Sequence, residues 1–236
     1  MKLLAVETST LSGSLAAAER VDGRWQVRKH LDLPTDRRTA QTLAPALAQL
    51  LAELDWRATD LAAVAVATGP GSFTGLRIGV TAAKTLAYAA DAQAVGVNTL
   101  AVIARGWFAY PQCDHAPRTH AVLDAHRSEL FAATFEYPPT GGQDPPPVRL
   151  IAQADWPATL HPQDAATGPG VALVSDQLAT GILIAPEESR LPRAENVALL
   201  GGEAFDAGRG VEPWQLLPDY YRLSAAEEKA NTKPRP

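Results

Sequence analysis

The first hundred residues alternate between short apolar runs and one long amphipathic pattern. Residues 3–6 and 14–18 are apolar and flank the polar segment ETSTLSG, a pattern typical of a β-hairpin. Residues 25–33 alternate well enough to predict a third strand. Leucines then recur from Leu43 to Leu54 at spacings of four, three, one and three, which predicts one face of a helix. Pro45 lies either in the first turn of that helix or at a kink.

The apolar runs that follow predict buried strands. Residues 61–68 are apolar without alternation, which favours a strand covered on both faces and parallel to its neighbours. Residues 94–98 form another short apolar strand, and residues 98–110 read as a helix that Asn98 and Thr99 can cap. This order of strands and helices predicts an α/β fold, with a mixed β-sheet flanked by helices.

The second half of the chain begins at a polar boundary, residues 111–118, and repeats the opening strand pair around Asp124 to Ser128. We therefore predict two subdomains, residues 1–110 and 111–223. Features expected in the second half are a flexible Pro/Gly loop without chemistry at 138–147, a strand at 171–175, a helix at 194–208 and a disordered tail at 224–236. No internal repeat of fixed period is present.

The glycine-rich segment GPGSFTGLRIG, residues 69–79, suggests a phosphate-binding loop but fits that function poorly. Five residues separate Gly69 from Gly75, and Leu76-Arg77 replaces the lysine and hydroxyl of a P-loop. A dinucleotide-binding loop would need an acidic residue at the end of the next strand, which ends in Asn98, and Pro70 removes a backbone donor.

A structural interpretation suits this segment better. The first glycines and Pro70 predict a tight turn from strand to helix, and Ser72 is a good N-cap. Two glycines inside a helix cost about 1 kcal/mol each relative to alanine, so a close neighbour should compensate for them. The small residues recur every four positions and form a bare stripe: Gly75, Gly79, Ala83 and Ala87. The stripe indicates either contact with a partner helix or close packing inside this chain, and the spacing does not choose between them.

Composition and charge restrict the function further. Hydrophobic residues make up 46% of the 236 residues and charged residues 20%, as in ordinary globular proteins. The net charge of −5 disfavours unaided binding to a nucleic-acid backbone. Cys113 is the only cysteine, the N-terminal apolar run is too short for a signal peptide, and no run of 18 apolar residues exists. We expect a cytoplasmic protein with no membrane contact.

Four segments together resemble the bacterial TsaB family. They are LLAVETST near the N-terminus, GPGSFTGLRIG, LDAHRSELFAATFE in the second half, and PDYYR at residues 218–222. The resemblance implies a fold of the actin and sugar-kinase type, with two RNase H-like subdomains of mixed β-sheet flanked by helices. One departure is that Arg38-Thr39 stands where family members often have a histidine before the first helix.

The resemblance also implies a function. Members are accessory subunits of the machinery that installs threonylcarbamoyl on the adenosine beside the anticodon of ANN-reading tRNAs. Catalysis there belongs to a TsaD-like partner, with a TsaE-like ATPase in the assembled complex, and tRNA is reached only through that complex. The two N-terminal helices bind the TsaD-like subunit, or form a homodimer when the chain is alone. We expect this interface to comprise Leu43, Leu47, Leu50, Phe73, Gly75, Arg77, Gly79, Ala83, Lys84 and Ala87.

We expect no catalysis, cofactor or metal in this chain, with ATP and metal held by the partner subunits. No two histidines are four residues apart, so the helical HxxxH pair of the catalytic relative is missing. The first hairpin has Glu7 but lacks a glycine that would present backbone donors to phosphate. Asp124 fits a turn cap better than a cleft acid, and Gly201-Gly202 fit helix packing better than an adenosine loop. The alternative function is an ATP-dependent small-molecule kinase of the same fold.

Overall fold

A computed structural model describes residues 1–110, 113, 116–136 and 138–222 of the chain. It contains two five-stranded β-sheets and four α-helices in this part of the chain. The first-half elements are β1 (Lys2–Glu7), β2 (Ser14–Val21), β3 (Arg24–Asp32), α1 (Thr39–Glu53), β4 (Leu61–Gly69), α2 (Phe73–Ala90), β5 (Gln93–Asn98) and α3 (Thr99–Trp107). The others are β6 (Thr119–His126), β7 (Glu129–Phe135), β8 (Arg149–Ala152), β9 (Ala165–Thr167), β10 (Leu183–Ile184) and α4 (Ala194–Asp206).

The first sheet has the strand order β3-β2-β1-β4-β5. The first three strands are antiparallel, whereas β4 and β5 run parallel to β1, as the unbroken apolar runs predicted. Strand β1 is covered on both faces: Leu3 and Ala5 belong to one core, and Leu4 and Val6 to another. Both faces of this sheet are therefore buried under helices.

The second sheet repeats the topology of the first. Its order is β8-β7-β6-β9-β10, in which β6, β7 and β8 are antiparallel and β9 and β10 are parallel to β6. The two sheets thus share the same strand connections, although the sequence shows no repeat of fixed period. These two mixed sheets flanked by helices confirm the fold class that the sequence resemblance implied.

Several elements of the second half differ from the prediction. The strand predicted at 171–175 is wrong, because those residues lie in short 3-10 turns at Pro169–Leu173 and Ser175–Gln177. Strands β8, β9 and β10 escaped prediction, since each has only four, three or two residues. A segment of this length carries too little periodicity to recognise.

The helices divide between the two faces of the first sheet. Helices α1 and α2 cover its outer face, where they contact each other. Helix α4 covers the inner face, and α3 packs between the two sheets. This arrangement corrects the linear boundary between subdomains, because α4 comes from the second half of the sequence yet packs on strands of the first sheet. After α4 the chain remains beside the first sheet, because Val211 forms an isolated β-bridge with Ala94 of β5.

The helix caps agree with the sequence at two of the predicted sites. The Ser72 side chain accepts a hydrogen bond from the Gly75 amide, and the Asn98 side chain accepts from the two amides that open α3. Helix α1 begins at Thr39, earlier than its leucines indicate, so Pro45 lies in its second turn rather than its first.

The Pro/Gly loop, residues 138–147, is anchored instead of free. Arg105 donates to the Pro139 carbonyl, and the Gly141 amide donates to the Glu203 carboxylate. Arg209 forms an ion pair with Asp144. The loop is exposed at most of its positions, as predicted, but the expectation that it is flexible is wrong, because side chains of α3, α4 and the segment after α4 hold it.

Two further expectations concern the chain as a whole. The tail predicted at 224–236 lies outside the described residues, as do four residues of the predicted boundary at 111–118. Among the helices that the structure describes, none is long and apolar enough to cross a bilayer.

Candidate functional site: the helix pair and the interdomain cleft

The glycine-rich segment forms the turn from β4 into α2, as predicted. The turn is bound to the first hairpin, because the Ser72 amide donates to the Ser9 carbonyl at 2.7 Å. A Cβ atom on Gly71 would lie 2.5 Å from that same carbonyl oxygen. The segment therefore joins α2 to the turn between β1 and β2.

The small-residue stripe of α2 faces into the chain. A Cβ atom on Gly75 would lie 2.0 Å from the Thr8 carbonyl oxygen, and one on Gly79 would lie 2.2 Å from Thr8 Oγ1. The Thr8 hydroxyl donates to the Gly75 carbonyl at 2.8 Å. Ala83 and Ala87, further along the stripe, are buried in the outer core. The glycines therefore make room for the first hairpin of the same chain.

This burial corrects five residues of the predicted partner interface. Gly79, Ala83 and Ala87 are enclosed by the sheet and the hairpin, and Leu43 and Leu50 of α1 are buried on the same sheet face. Side chains that are already buried in their own subdomain have no surface to offer a partner. Close packing inside the chain, the other alternative for the stripe, is what the structure shows.

The other predicted interface residues stay closer to the surface. Leu47, Phe73, Gly75 and Lys84 are half-buried, and Arg77 is exposed. The two cations have partners within the chain: Arg77 Nε donates to the Tyr220 hydroxyl at 3.0 Å, and Lys84 Nζ donates to the Trp214 carbonyl at 3.3 Å. Whether these residues contact a partner stays a prediction.

The exposed faces of α1 and α2 form a surface that the sequence interpretation missed. Beside longer side chains such as Gln41, Arg77 and Tyr88, it carries a set of small, uncharged residues, on α1 Ala40, Ala44, Ala48 and Ala52, and on α2 Thr74, Thr81 and Thr85. We call these residues the helix-pair face. The alanines recur every fourth residue on the side opposite the buried leucines, so the spacing alone could have revealed them. The glycine stripe, which suggested a partner contact, lies on the buried side of the helix pair.

Within the first hairpin, the side chain of Glu7 forms hydrogen bonds with the turn that follows it. Glu7 is fully buried, and its Oε1 accepts hydrogen bonds from the Ser9 amide and from the Ser9 hydroxyl at 2.7 Å. Its Oε2 is buried without a hydrogen-bond partner among the described residues. Burial raises the pKa of Glu7 from its ordinary 4.5 to about 7, although the Ser9 hydrogen bonds oppose that rise.

A cleft of about 730 Å³ lies between the two subdomains. It is lined by the turn of the first hairpin, the start of α2, the β6–β7 turn and residues 219–222. In the β6–β7 turn, Asp124 Oδ1 accepts from the His126 amide at 2.7 Å, so this acid caps its own turn. The described residues contain no cluster of three or more side chains suited to holding a metal ion.

The paired glycines of α4 are packing residues. A Cβ atom on Gly201 would lie 2.4 Å from the Ala65 Cβ, and one on Gly202 would lie 2.5 Å from the Trp25 ring. The two positions let α4 approach the inner face of the first sheet closely. This confirms helix packing as the interpretation of Gly201-Gly202.

Comparison with known proteins identifies the family of this chain. A curated relative from Bacillus subtilis, the tRNA threonylcarbamoyladenosine biosynthesis protein TsaB, is 31% identical over 192 residues, which cover 78% of this chain and 80% of the relative. The chain belongs to the TsaB family. The TsaB protein of Escherichia coli is 28% identical over 97% of this chain and 98% of its own length.

Solved structures and a family model agree with this assignment. The structure of YeaZ from Pseudomonas aeruginosa matches with a TM-score of 0.73 and 28% identity, over 93% of this chain and 99% of that one. Residues 34–155, about half of the chain, match the model described as "TsaD: tRNA N6-adenosine threonylcarbamoyltransferase". This chain is thus similar in sequence to the TsaD family, and the matched region includes α1 and α2.

Proposed function

We propose that this chain is a non-catalytic accessory subunit in the synthesis of threonylcarbamoyladenosine in tRNA, and that its helix-pair face binds a TsaD-like catalytic subunit. Membership of the TsaB family is the observation that carries the proposal, because curated relatives are named for this pathway. The match to the TsaD model supports a partner built on the same fold. Two related subunits can pair through equivalent helices.

The surface chemistry supports a protein partner at this face. Alanine at every fourth position along the exposed side of α1 leaves a strip of small side chains, and threonines continue it on α2. A helix of another subunit can approach closely where these small residues lie, and the longer Gln41, Arg77 and Tyr88 beside them can contact it from the sides. In the isolated chain, a second copy could occupy the same face, which gives the homodimer.

The hairpin chemistry supports an accessory role over the kinase alternative. In the first hairpin the Ser9 amide and hydroxyl point at the buried Glu7 carboxylate, so they are not directed at a phosphate. We assign ATP, metal and contact with tRNA to the rest of the complex, in which a TsaE-like ATPase joins the TsaD-like subunit.

Two arginine substitutions on the helix-pair face test the proposal. Ala48→Arg and Thr81→Arg each place a long cation at an exposed position, so the fold should be retained and binding lost. Burying an unpaired charge in an interface costs about 2–5 kcal/mol, which predicts roughly thirty-fold or greater weakening. The measurement is the Kd for the purified TsaD-like subunit, with melting temperature as a check on folding.

Ala207→Arg, at the exposed end of α4 on another part of the surface, is the matched control and should bind normally. Normal binding by both helix-face variants would refute the assigned surface. Mass spectrometry of tRNA from cells depleted of this chain tests the pathway separately. Threonylcarbamoyladenosine should fall and should return with the wild-type chain but not with Ala48→Arg.

A further inference from the structure

The last described residues of the chain run through the junction between the subdomains. After the bridge between Val211 and Ala94, the chain turns at Pro213–Gln215 and enters the cleft. Asp219 and Tyr221 each line two cavities, the cleft of about 730 Å³ and a second one of about 540 Å³. Residues 219–222 therefore form a wall between the two cavities.

The first part of this segment is bound tightly to the end of β4. The Asp219 amide donates to the Thr68 carbonyl at 2.8 Å, and the Thr68 hydroxyl donates to Asp219 Oδ2 at 2.6 Å. A Cβ atom on Gly69 would lie 2.5 Å from the Asp219 carbonyl oxygen. The lack of a side chain at Gly69 thus allows the C-terminal segment to pack against the end of β4, and this packing explains the glycine without a ligand.

The middle of the segment contacts α2. The Tyr220 ring lies 4.9 Å from the Phe73 ring, and its hydroxyl accepts from Arg77 Nε at 3.0 Å. The Arg77 guanidinium in turn lies 4.1 Å from the centre of the Phe73 ring. Tyr220 therefore holds an exposed cation of α2 in one orientation.

The end of the segment reaches the second subdomain. The Tyr221 hydroxyl accepts from Asn98 in the first subdomain at 3.2 Å, while its ring lies 6.3 Å from Phe131 of β7. Arg222 donates to the Ala125 carbonyl of β6 and to the Glu129 carboxylate of β7. Four consecutive residues thus contact both subdomains on the cleft side.

We propose that residues 219–222 are a latch that holds the cleft closed and couples its opening to α2. On the other side of the junction, α3 packs on strands of both sheets and can act as the hinge. Releasing Arg222 from β6 and β7 would let the two hairpin turns separate. Because Tyr220, one of these four residues, holds Arg77, movement of the segment as the cleft opens also loosens that side chain.

The distance between the two hairpin turns tests the latch. Spin labels at Leu11→Cys and His126→Cys, two exposed positions, report the width of the cleft in a Cys113→Ser background. A chain that ends at Pro218 lacks the latch, and one that ends at Arg222 retains it as the matched control. The distance distribution should lengthen and broaden in the first truncation and stay as in the full chain in the second.

A point variant keeps the test decisive if the shorter chain does not fold. Arg222→Ala removes the hydrogen bonds to Ala125 and Glu129 of the second subdomain and should broaden the same distance distribution. It should also speed hydrogen exchange at Arg77 Nε roughly tenfold, the size expected on losing a charge-assisted hydrogen bond. Unchanged distances in Arg222→Ala would overturn the latch, and unchanged exchange at Arg77 would overturn its coupling to α2.

Discussion

Replacing Glu7 with glutamine should remove the loss of stability that the wild type shows as the pH rises through neutrality. The Glu7 carboxyl is fully buried, and its Oε2 has no hydrogen-bond partner among the described residues. Ionising it places an unpaired charge in the core, which is why burial raises its pKa from 4.5 to about 7. Glutamine keeps the acceptor for the Ser9 amide and never ionises.

The magnitude follows from the shift in pKa. A folded-state pKa of about 7 against an ordinary 4.5 corresponds to about 3 kcal/mol at about 1.4 kcal/mol per pKa unit. Because the folded-state pKa is the higher one, the folded protein binds the proton more tightly. The stability contributed by the protonated group is complete below pH 4.5 and is lost as the pH rises through about 7. Protonated Glu7 leaves one buried donor unsatisfied and glutamine leaves two, so the variant should be somewhat less stable than the wild type in mild acid.

The assay is urea unfolding of the wild type and Glu7→Gln at several values from about pH 5 to about pH 8. The difference in unfolding free energy should grow with pH by about 3 kcal/mol. Ser9→Ala is an informative companion, because Ser9 lowers the pKa of Glu7. Losing its hydroxyl should raise the pKa of Glu7 further, so the loss of stability should extend to higher pH than in the wild type. Parallel stability curves for the wild type and Glu7→Gln would refute the reasoning.

Three further predictions concern packing, a buried ion pair and the anchored loop. Gly79→Ala should lose about 1–3 kcal/mol in urea unfolding because its methyl group meets Thr8, and Thr8→Ala should restore part of that loss in the double variant. Asp164→Asn should lose about 3–5 kcal/mol at neutral pH, because it breaks the hydrogen bonds to a fully buried carboxylate, among them the one from His120. Burial alone would raise the pKa of Asp164, but its hydrogen bonds outweigh this and lower it, so unfolding followed across pH should show the loss shrinking below about pH 3.8. Arg209→Ala should speed limited proteolysis within the Pro/Gly loop while the melting temperature changes little, since it removes an exposed ion pair.

Local chemistry explains the predictions that the structure confirms. Ser72 and Asn98 cap their helices by accepting hydrogen bonds from amides two or three residues away. Both partners of each hydrogen bond therefore lie within one short stretch of the sequence. The parallel strand β4 was recognisable because both its faces are buried. The four segments that resemble the TsaB family run in order along the chain, and they indicated the family before any fold was known.

Contacts between distant residues explain the corrections. The spacing of Gly75 and Gly79 indicated a close neighbour, but that neighbour is Thr8, 67 residues away from Gly75 in the chain. Helix α4 follows the second sheet in sequence yet packs on the first, so no linear boundary could describe the subdomains. The exposed alanines of α1 and the inward-facing glycines of α2 are all small residues at a spacing of four, and only the packing of both helices distinguishes them.

Residues that lie near one another in the chain indicate the family, the order of the main elements and the capped turn from β4 into α2. The packing of distant segments, by contrast, shows which face of the helix pair is exposed, that the hairpin donors are directed at Glu7, and that residues 219–222 join the subdomains. These features depend on which distant segments the fold brings together. The periodicity of a helix or strand indicates that it has an apolar face, but it does not indicate which segment packs against that face.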